Sequence, residues 1–342
     1  MPVATVDPVG AETPPSLTTR FFNRRTIASL IVAGIIVGVA IWRAPIDWGD
    51  AWNRIRHANP LLYVLALLVY YLSFAVRSIR WQVLLRNAGE DRAAPALAGI
   101  VITSFFVNCV VPAKMGDVYR AYLARTKLGV SASKALGTVI AERLLDLCVL
   151  MALLIAAGAV VFHTKAPGIL IPYVVAGTAI CLAGVGTILT MRAGRGQRVL
   201  RLLPEAIFHR YENFRIGTVR SLGRYPTLLV LTGTVWACEA ARLGFVVHAL
   251  DVNVLGPSQI LLVALVAALL TTVPFLPGGL GLVEAGMVGV LVAVGGVSRE
   301  GAVSIALLDR SISYGSVVVI GFIVFMFTHL HASRAQPAPA RG

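Results

Sequence analysis

Pro112-Ala113-Lys114-Met115-Gly116-Asp117 and Pro277-Gly278-Gly279-Leu280-Gly281-Leu282-Val283-Glu284 decide how this chain folds. Each run follows an apolar stretch, 93–111 before the first and 258–276 before the second, and each ends in a carboxylate. Proline removes a backbone donor and glycine admits conformations that helices exclude, so both runs interrupt a helix. Inside a bilayer the freed backbone groups must be satisfied by protein or by a wet cavity. The two stretches therefore read as re-entrant or broken helices, with Pro112, Gly116, Pro277, Gly278, Gly279 and Gly281 as hinges.

The flanking sequence sets them in a membrane. Of 342 residues, 57% are apolar and 13% charged, whereas soluble domains carry about 25% charge. Long apolar runs at 27–42, 60–85, 131–162, 168–191, 226–250 and 300–329 join the two broken stretches. They predict an all-α, polytopic integral membrane protein with about seven to nine membrane segments. The 30 basic residues exceed the 16 acidic ones by 14. The bases fall mostly in breaks between apolar runs, which points to basic loops held at an anionic leaflet and not to nucleic acid.

Along the chain, residues 1–24 read as a disordered cytoplasmic tail. Arg20, Arg24 and Arg25 precede an uncleaved first span at 27–42. Trp48, Trp52, Arg54 and Arg56 indicate a short interfacial helix, and Arg77, Arg80 and Arg86 are taken to mark the second span's return to the basic side. A cytoplasmic amphipathic segment is expected over 192–224, with Val199, Leu203, Ile207, Tyr211 and Phe214 at helical spacing. One transmembrane domain over 25–330 and a cytoplasmic tail at 331–342 complete the layout. With most bases inside, both termini face the cytoplasm of a bacterial-type inner membrane.

The two broken stretches belong to a duplication. Gly129-Val130-Ser131 matches Gly296-Val297-Ser298, and Asp117, Glu142 and Arg143 match Glu284, Asp309 and Arg310, all at an offset of 167 positions. The repeat cores cover about 93–163 and 258–329. In the expected threading they enter from opposite sides, making inverted repeats whose breaks face each other across a polar cavity.

An ionised group at a span centre costs roughly 2.5–3.5 kcal/mol on insertion scales, so these charges must pair or line that cavity. Arg143 and Arg310 are candidate phosphate ligands, because guanidinium offers a rigid fork of donors. Half-helix N-termini after each break add backbone donors. Glu142, Asp309, Asp117 and Glu284 are candidate substrate contacts that balance charge and accept from a headgroup amine. The competing reading is that Glu142 and Asp309 only tie helices together. Asn108, Thr271 and Thr272 are candidate caps of the broken helices, with Asn108 also a substrate candidate. Glu239 and Arg242 can pair on one helix face, and Tyr314 suits a core or interface role. Cys109, Cys148, Cys181 and Cys238 are scattered through apolar segments, and the histidines lack ligand spacing, so no metal is expected. Gly278-Gly279-Leu280-Gly281 lacks the Lys-Ser/Thr ending of a nucleotide loop, and no catalytic motif stands out, so neither a cofactor nor enzymatic activity is expected.

The run from Asn108 to Asp117, with Arg120, Arg125, Glu142-Arg143 and Asp146, and the run from Pro277 to Glu284 with Arg310, resemble the lysylphosphatidylglycerol synthase transmembrane region. This flippase-like family also forms the membrane half of MprF-type proteins, and the resemblance covers about 25–330. It implies substrate contacts at the matched residues, Arg120 included. Asp117 stands where the family pattern has Glu, and no aminoacyltransferase domain is seen after the last span. The resemblance thus implies only the lipid-translocating part, with a membrane phospholipid or lipid-linked substrate as partner. A separate lipid-modifying enzyme and a homo-oligomer are both compatible with it. The alternatives are an accessory or enzymatic role in lipid-linked glycan or aminoacyl-lipid synthesis, or a scaffold for another membrane enzyme.

Overall fold

A computed structural model describes residues 46–162, 170–195, 204–273 and 276–334. The 1–24 tail, the 27–42 span, Val199, Leu203, Pro274 and the tail from 335 lie outside these residues. The described chain is helical and contains no strand. Its helices are α1 (Trp48–Arg56), α2 (Pro60–Asn87), α3 (Ala94–Val110), α4 (Met115–Leu128), α5 (Ala132–Phe162), α6 (Leu170–Arg192), α7 (Glu205–Val219), α8 (Tyr225–Ala249), α9 (Pro257–Thr271), α10 (Leu282–Ala293), α11 (Arg299–Arg310) and α12 (Val317–Arg334).

Helices of 28 and 31 residues, α2 and α5, reach about 42 and 46 Å at 1.5 Å per residue, enough to cross a hydrocarbon core of about 30 Å. Among the described residues five stretches are long and apolar enough to span, and α3, α9 and the segment Pro277–Ala293 are shorter apolar pieces. The protein is a polytopic, all-helical membrane protein. Start signals agree with these boundaries: Asp47 and Asn59 cap α1 and α2 through their side chains, with Pro60 opening α2.

The 167-residue offset is carried into three dimensions. α3 and α4 form one hairpin around residues 111–114, and α9 and α10 form the other around 272–281. The helix α5 that follows the first hairpin corresponds to α11 and α12 after the second. One difference is a π-helical turn, Ser311–Ser316, between α11 and α12, where α5 runs on as α-helix. Such turns insert one residue and rotate the downstream helix, and they recur at functional sites.

Hydrogen bonds fix the direction of each hairpin against α2. At its C-terminal end, Asn87 Nδ2 donates to Ser221 O at 2.7 Å, and Lys134 Nζ pairs with Glu90 at 2.8 Å. The mouth of the α3–α4 hairpin lies there. At the N-terminal end of α2, Asn59 N donates to Ala249 O at 2.8 Å, and beyond it Gln259 Nε2 bridges the mouth of α9–α10 to Val294 O at 3.0 Å. The hairpins enter from opposite ends of α2 and are inverted repeats.

Their tips meet. α3 packs on the Pro277–Gly279 turn, but not extensively on α9 or α10. The expectation of a polar cavity separating the breaks is corrected: the tips are in van der Waals contact, because Gly278 has no side chain. A Cβ there would sit 2.6 Å from the Tyr314 ring and 3.5 Å from Cys109 Cα. Tyr314 Oη donates to Cys109 O at 3.2 Å, closing a carbonyl of α3's last turn.

Two smaller expectations also change. α7 is docked on α5 and is not simply a surface helix: a Cβ on Gly217 would fall 2.1 Å from Lys134 O, and one on Gly137 2.4 Å from Phe214 O. Arg77 and Arg80, read as topological markers, are 7% and 0% exposed and lie inside the bundle.

Candidate functional site

Each hairpin tip is a built structure. In the first, Ala113 and Lys114 have φ of 64° and 53°, an uncommon conformation for residues with side chains that is found where surroundings impose it. Asn108, still inside α3, turns its Oδ1 to accept from Gly116 N at 2.8 Å, while its Nδ2 donates to Asp117 Oδ1 at 3.3 Å. It thus caps the entry into α4. Gly116 is required because a Cβ would lie 2.0 Å from Ser104 O. In the second tip, Gly278, Gly279 and Gly281 take positive φ, and Glu284 Oε2 accepts from Gly281 N at 2.6 Å, a capping arrangement for α10. Thr271 and Thr272 hydroxyls return to carbonyls of α9's final turn at 2.6 Å.

The matched acid–arginine partners meet across these tips. Arg143 Nε and Nη2 donate to Asp117 Oδ2 and Oδ1 at 2.9 and 2.6 Å, a two-point contact. Arg310 Nε donates to Glu284 Oε1 at 2.7 Å and its Nη2 to Gly278 O at 2.8 Å. Both pairs span 26 positions. The difference lies in exposure: the Arg143 side chain is 35% open and that of Arg310 10%. Aromatic rings stand beside both guanidiniums, Phe105 at 5.8 Å and Tyr314 at 5.1 Å.

The neighbouring acids turn the other way. Glu142 is 1% exposed and takes Arg80 Nη2 at 2.7 Å, with Arg120 Nη2 at 3.0 Å on its other oxygen. Asp146 also pairs with Arg80, and Thr232 accepts from it at 2.9 Å. Arg120 is fully buried and stacks on Trp81 at 3.9 Å. On the second side, Asp309 is 2% exposed and bonded to Arg242, which also holds Glu239 at 3.1 Å; Arg77 completes that group at 2.9 Å from Glu239. Glu142, Asp309 and Arg120 thus sit in interhelical ion clusters, whereas Asp117–Arg143 and Glu284–Arg310 sit at the tips.

Sequence reasoning gave Lys114 no role of its own. This half-buried residue lies at the first tip within electrostatic reach of Arg143 and Asp117. It makes the tip cationic on balance, and its place within the broken motif was the available signal.

Comparison with known proteins agrees with this architecture. The profile of the lysylphosphatidylglycerol synthase TM region matches residues 27–321. The chain belongs to this family. A UPF0104 membrane protein of Methanocaldococcus jannaschii is 33% identical over 224 residues, covering 64% of this chain and 93% of the relative. A second UPF0104 membrane protein, from Methanothermobacter thermautotrophicus, is 25% identical and covers 89% of this chain and 94% of itself. Haloferax volcanii has a relative named glycosyltransferase AglD, 24% identical over 87% of this chain but only 54% of its own length. The family match contains both hairpins and every paired residue described above, and it indicates a lipid-related membrane function.

Proposed function

We propose that the protein carries a lipid headgroup between leaflets along its two hairpin tips while the acyl chains stay in the bilayer. The observation that supports this most is the repetition of one two-residue device, acid on the half-helix and arginine on the following helix, at the tips of oppositely inserted hairpins. Neither Arg143 Nη1 nor Arg310 Nη1 has a protein hydrogen-bond partner among the described residues. A headgroup phosphate approaching Arg143 takes over guanidinium donors from Asp117, and the freed carboxylate receives a headgroup amine or hydroxyl. Because ion pairs are exchanged and not broken outright, the charge never stands alone in a low-dielectric region, where it would cost several kcal/mol. Direct contact between the tips makes this conformation closed, and passage requires Tyr314 to release Cys109 O. In this reading Asn108 positions Asp117, and Glu142, Asp309 and Arg120 hold the scaffold.

By chain position, the end of α2 that carries the α3–α4 mouth has Arg86, Arg92, Arg125, Lys127, Lys134, Arg220 and Arg224 against the acids Glu90 and Asp91, whereas at the other end Arg54, Arg56 and Arg299 stand among Asp47, Asp50, Asp251 and Glu300. We assign the basic end to the cytoplasm. The protein acts without a catalytic step of its own. Purified chain in liposomes containing fluorescent phosphatidylglycerol tests the proposal: the reading requires faster loss of inner-leaflet protection than in protein-free liposomes, and loss of that rate in Arg143→Ala and Arg310→Ala. Equal rates for parent and both variants overturn it.

A second reading is favoured by the AglD match: the membrane half presents a lipid-linked glycan acceptor to a transferase. Lipid-linked glycan that builds up only when the chain and a transferase are present together supports that reading instead.

A further inference from the structure

Beside the first tip runs a groove that the ion pairs do not use. Its lining is Val118, Ala121, Tyr122 and Arg125 from α4, with Ala132, Ser133 and Leu136 from α5, around a cavity of about 240 Å³. The α4 residues recur at intervals of three, one and three, so they form one stripe on one face. On α5, Leu136 stands seven residues before Arg143, two turns down nearly the same face. The groove therefore starts at the hairpin mouth, where Arg125 is exposed, and points toward Asp117 and Arg143 at the tip. The length of α4 from Arg125 to Asp117 is about 12 Å at 1.5 Å per residue.

Its chemistry is divided. Val118 and Tyr122 are 50% and 44% exposed, so apolar surface lies uncovered along the groove. Arg125 is the one charged group in its lining, and it has no ion pair among the described residues. The Ser133 hydroxyl likewise has no side-chain partner among them. The volume is below the roughly 300–1,000 Å³ typical of pockets that enclose whole drug-sized ligands. It suits part of one chain, not a headgroup with two.

The corresponding place in the second repeat differs. At the 167-residue offset, Arg125 becomes Val292, Tyr122 becomes Gly289, Ala132 becomes Arg299 and Ser133 becomes Glu300. An isolated cation beside a hydroxyl is thus replaced by an adjacent arginine and carboxylate that offset each other. The duplication has been preserved at the ion pairs but not here, and the uncompensated positive charge belongs to the first repeat alone.

We infer that the α4–α5 groove is a docking site for an anionic phospholipid of the leaflet at the hairpin 1 mouth, its phosphate on Arg125 and Ser133 and one acyl chain along Val118, Ala121, Tyr122 and Leu136. Charge complementarity selects this occupant: a basic mouth, a donor hydroxyl and an apolar trough running inward match a lipid lying in its own leaflet. The site supplies the headgroup that Arg143 receives and in that purpose rests on the translocation reading. Its occupancy is measurable without any transport.

The test uses the full chain in nanodiscs with phosphatidylglycerol or phosphatidylcholine bearing a photoactivatable diazirine in one acyl chain. After irradiation, label is mapped by peptide mass spectrometry. Labelling concentrated in 118–136, stronger for phosphatidylglycerol than for phosphatidylcholine, with no such preference over 285–303, is expected. Arg125→Gln, at an exposed position, should reduce the preference for phosphatidylglycerol about fivefold, the factor that one surface arginine contributes toward anionic lipid. Ala121→Phe should fill the groove and remove the label. Equal labelling by both lipids, or an Arg125→Gln chain with undiminished preference, overturns the inference. Selective labelling in liposomes that show no headgroup movement retains the docking site and removes only the translocation reading; movement without selective labelling does the reverse.

Discussion

Glu142→Gln separates the scaffold charges from the tip charges. In the parent, the carboxylate at 1% exposure lies between Arg80 at 2.7 Å and Arg120 at 3.0 Å, both guanidiniums fully buried. The amide keeps the shape but removes the negative charge, leaving Arg80 with Asp146 alone and Arg120 with no ion-pair partner among the described residues. Breaking a buried pair in this way costs about 3–5 kcal/mol, because the surviving charge loses its compensation. Asp117→Asn is the matched control: its side chain is 15% open and that of its partner Arg143 35%, so solvent compensates part of the loss and the cost falls between that of an exposed and that of a buried pair. At about 2–4 °C per kcal/mol for chains of this order, Glu142→Gln should lower the melting temperature by at least about 6 °C, and Asp117→Asn by clearly less. The buried thiols Cys109, Cys181 and Cys238 provide the assay, since a thiol-reactive fluorogenic dye reports their exposure as detergent-solubilised protein is heated. Equal shifts for the two variants, or a negligible shift for Glu142→Gln, would refute the division of the charges into scaffold and tip.

Other outcomes follow from close approaches. Gly116→Ala places a methyl 2.0 Å from Ser104 O and should destabilise the fold by several degrees in the same melt, whereas Gly289→Ala, with nothing within 4 Å, should be neutral or stabilising by up to about 1 kcal/mol. Gly217→Ala should weaken the docking of α7 on α5 and increase proteolysis within 205–219. Tyr314→Phe removes the hydroxyl that bonds Cys109 O and should accelerate headgroup movement in the liposome assay while lowering the melting temperature by less than Glu142→Gln does; a slower rate would contradict its role as a closure. Arg310→Lys retains charge but loses the fork that reaches both Glu284 and Gly278 O, and should slow movement severalfold.

The duplication was legible because it is written in residue types that lipid does not tolerate casually. Asp117, Arg143, Glu284 and Arg310 share one offset, and the structure joins them as the offset implies. The helix interruptions at 112–116 and 277–281 followed from their prolines and glycines, which are local signals. Arg77 and Arg80 were misread because a basic residue near the end of an apolar run looks the same whether it reaches the interface or turns inward. Only the facing acids on α5 and α8 distinguish the cases, and their proximity is a property of packing. Tip contact was similarly illegible, since a pair of breaks predicts unsatisfied backbone without saying whether water or the opposite tip satisfies it. The π turn at 311–316 has no composition that separates it from α-helix, although it sets where Tyr314 falls.

Opposite insertion of the two hairpins underlies every step from sequence to proposed transport, and accessibility measures it most directly. Single cysteines at Asp91, by the mouth of α3–α4, and Val254, by that of α9–α10, are both exposed positions and can be installed in a chain whose four native cysteines are replaced. A membrane-impermeant maleimide applied to one face of oriented vesicles should label one of them and leave the other until the vesicles are opened. Labelling of both from the same face would contradict the inverted arrangement.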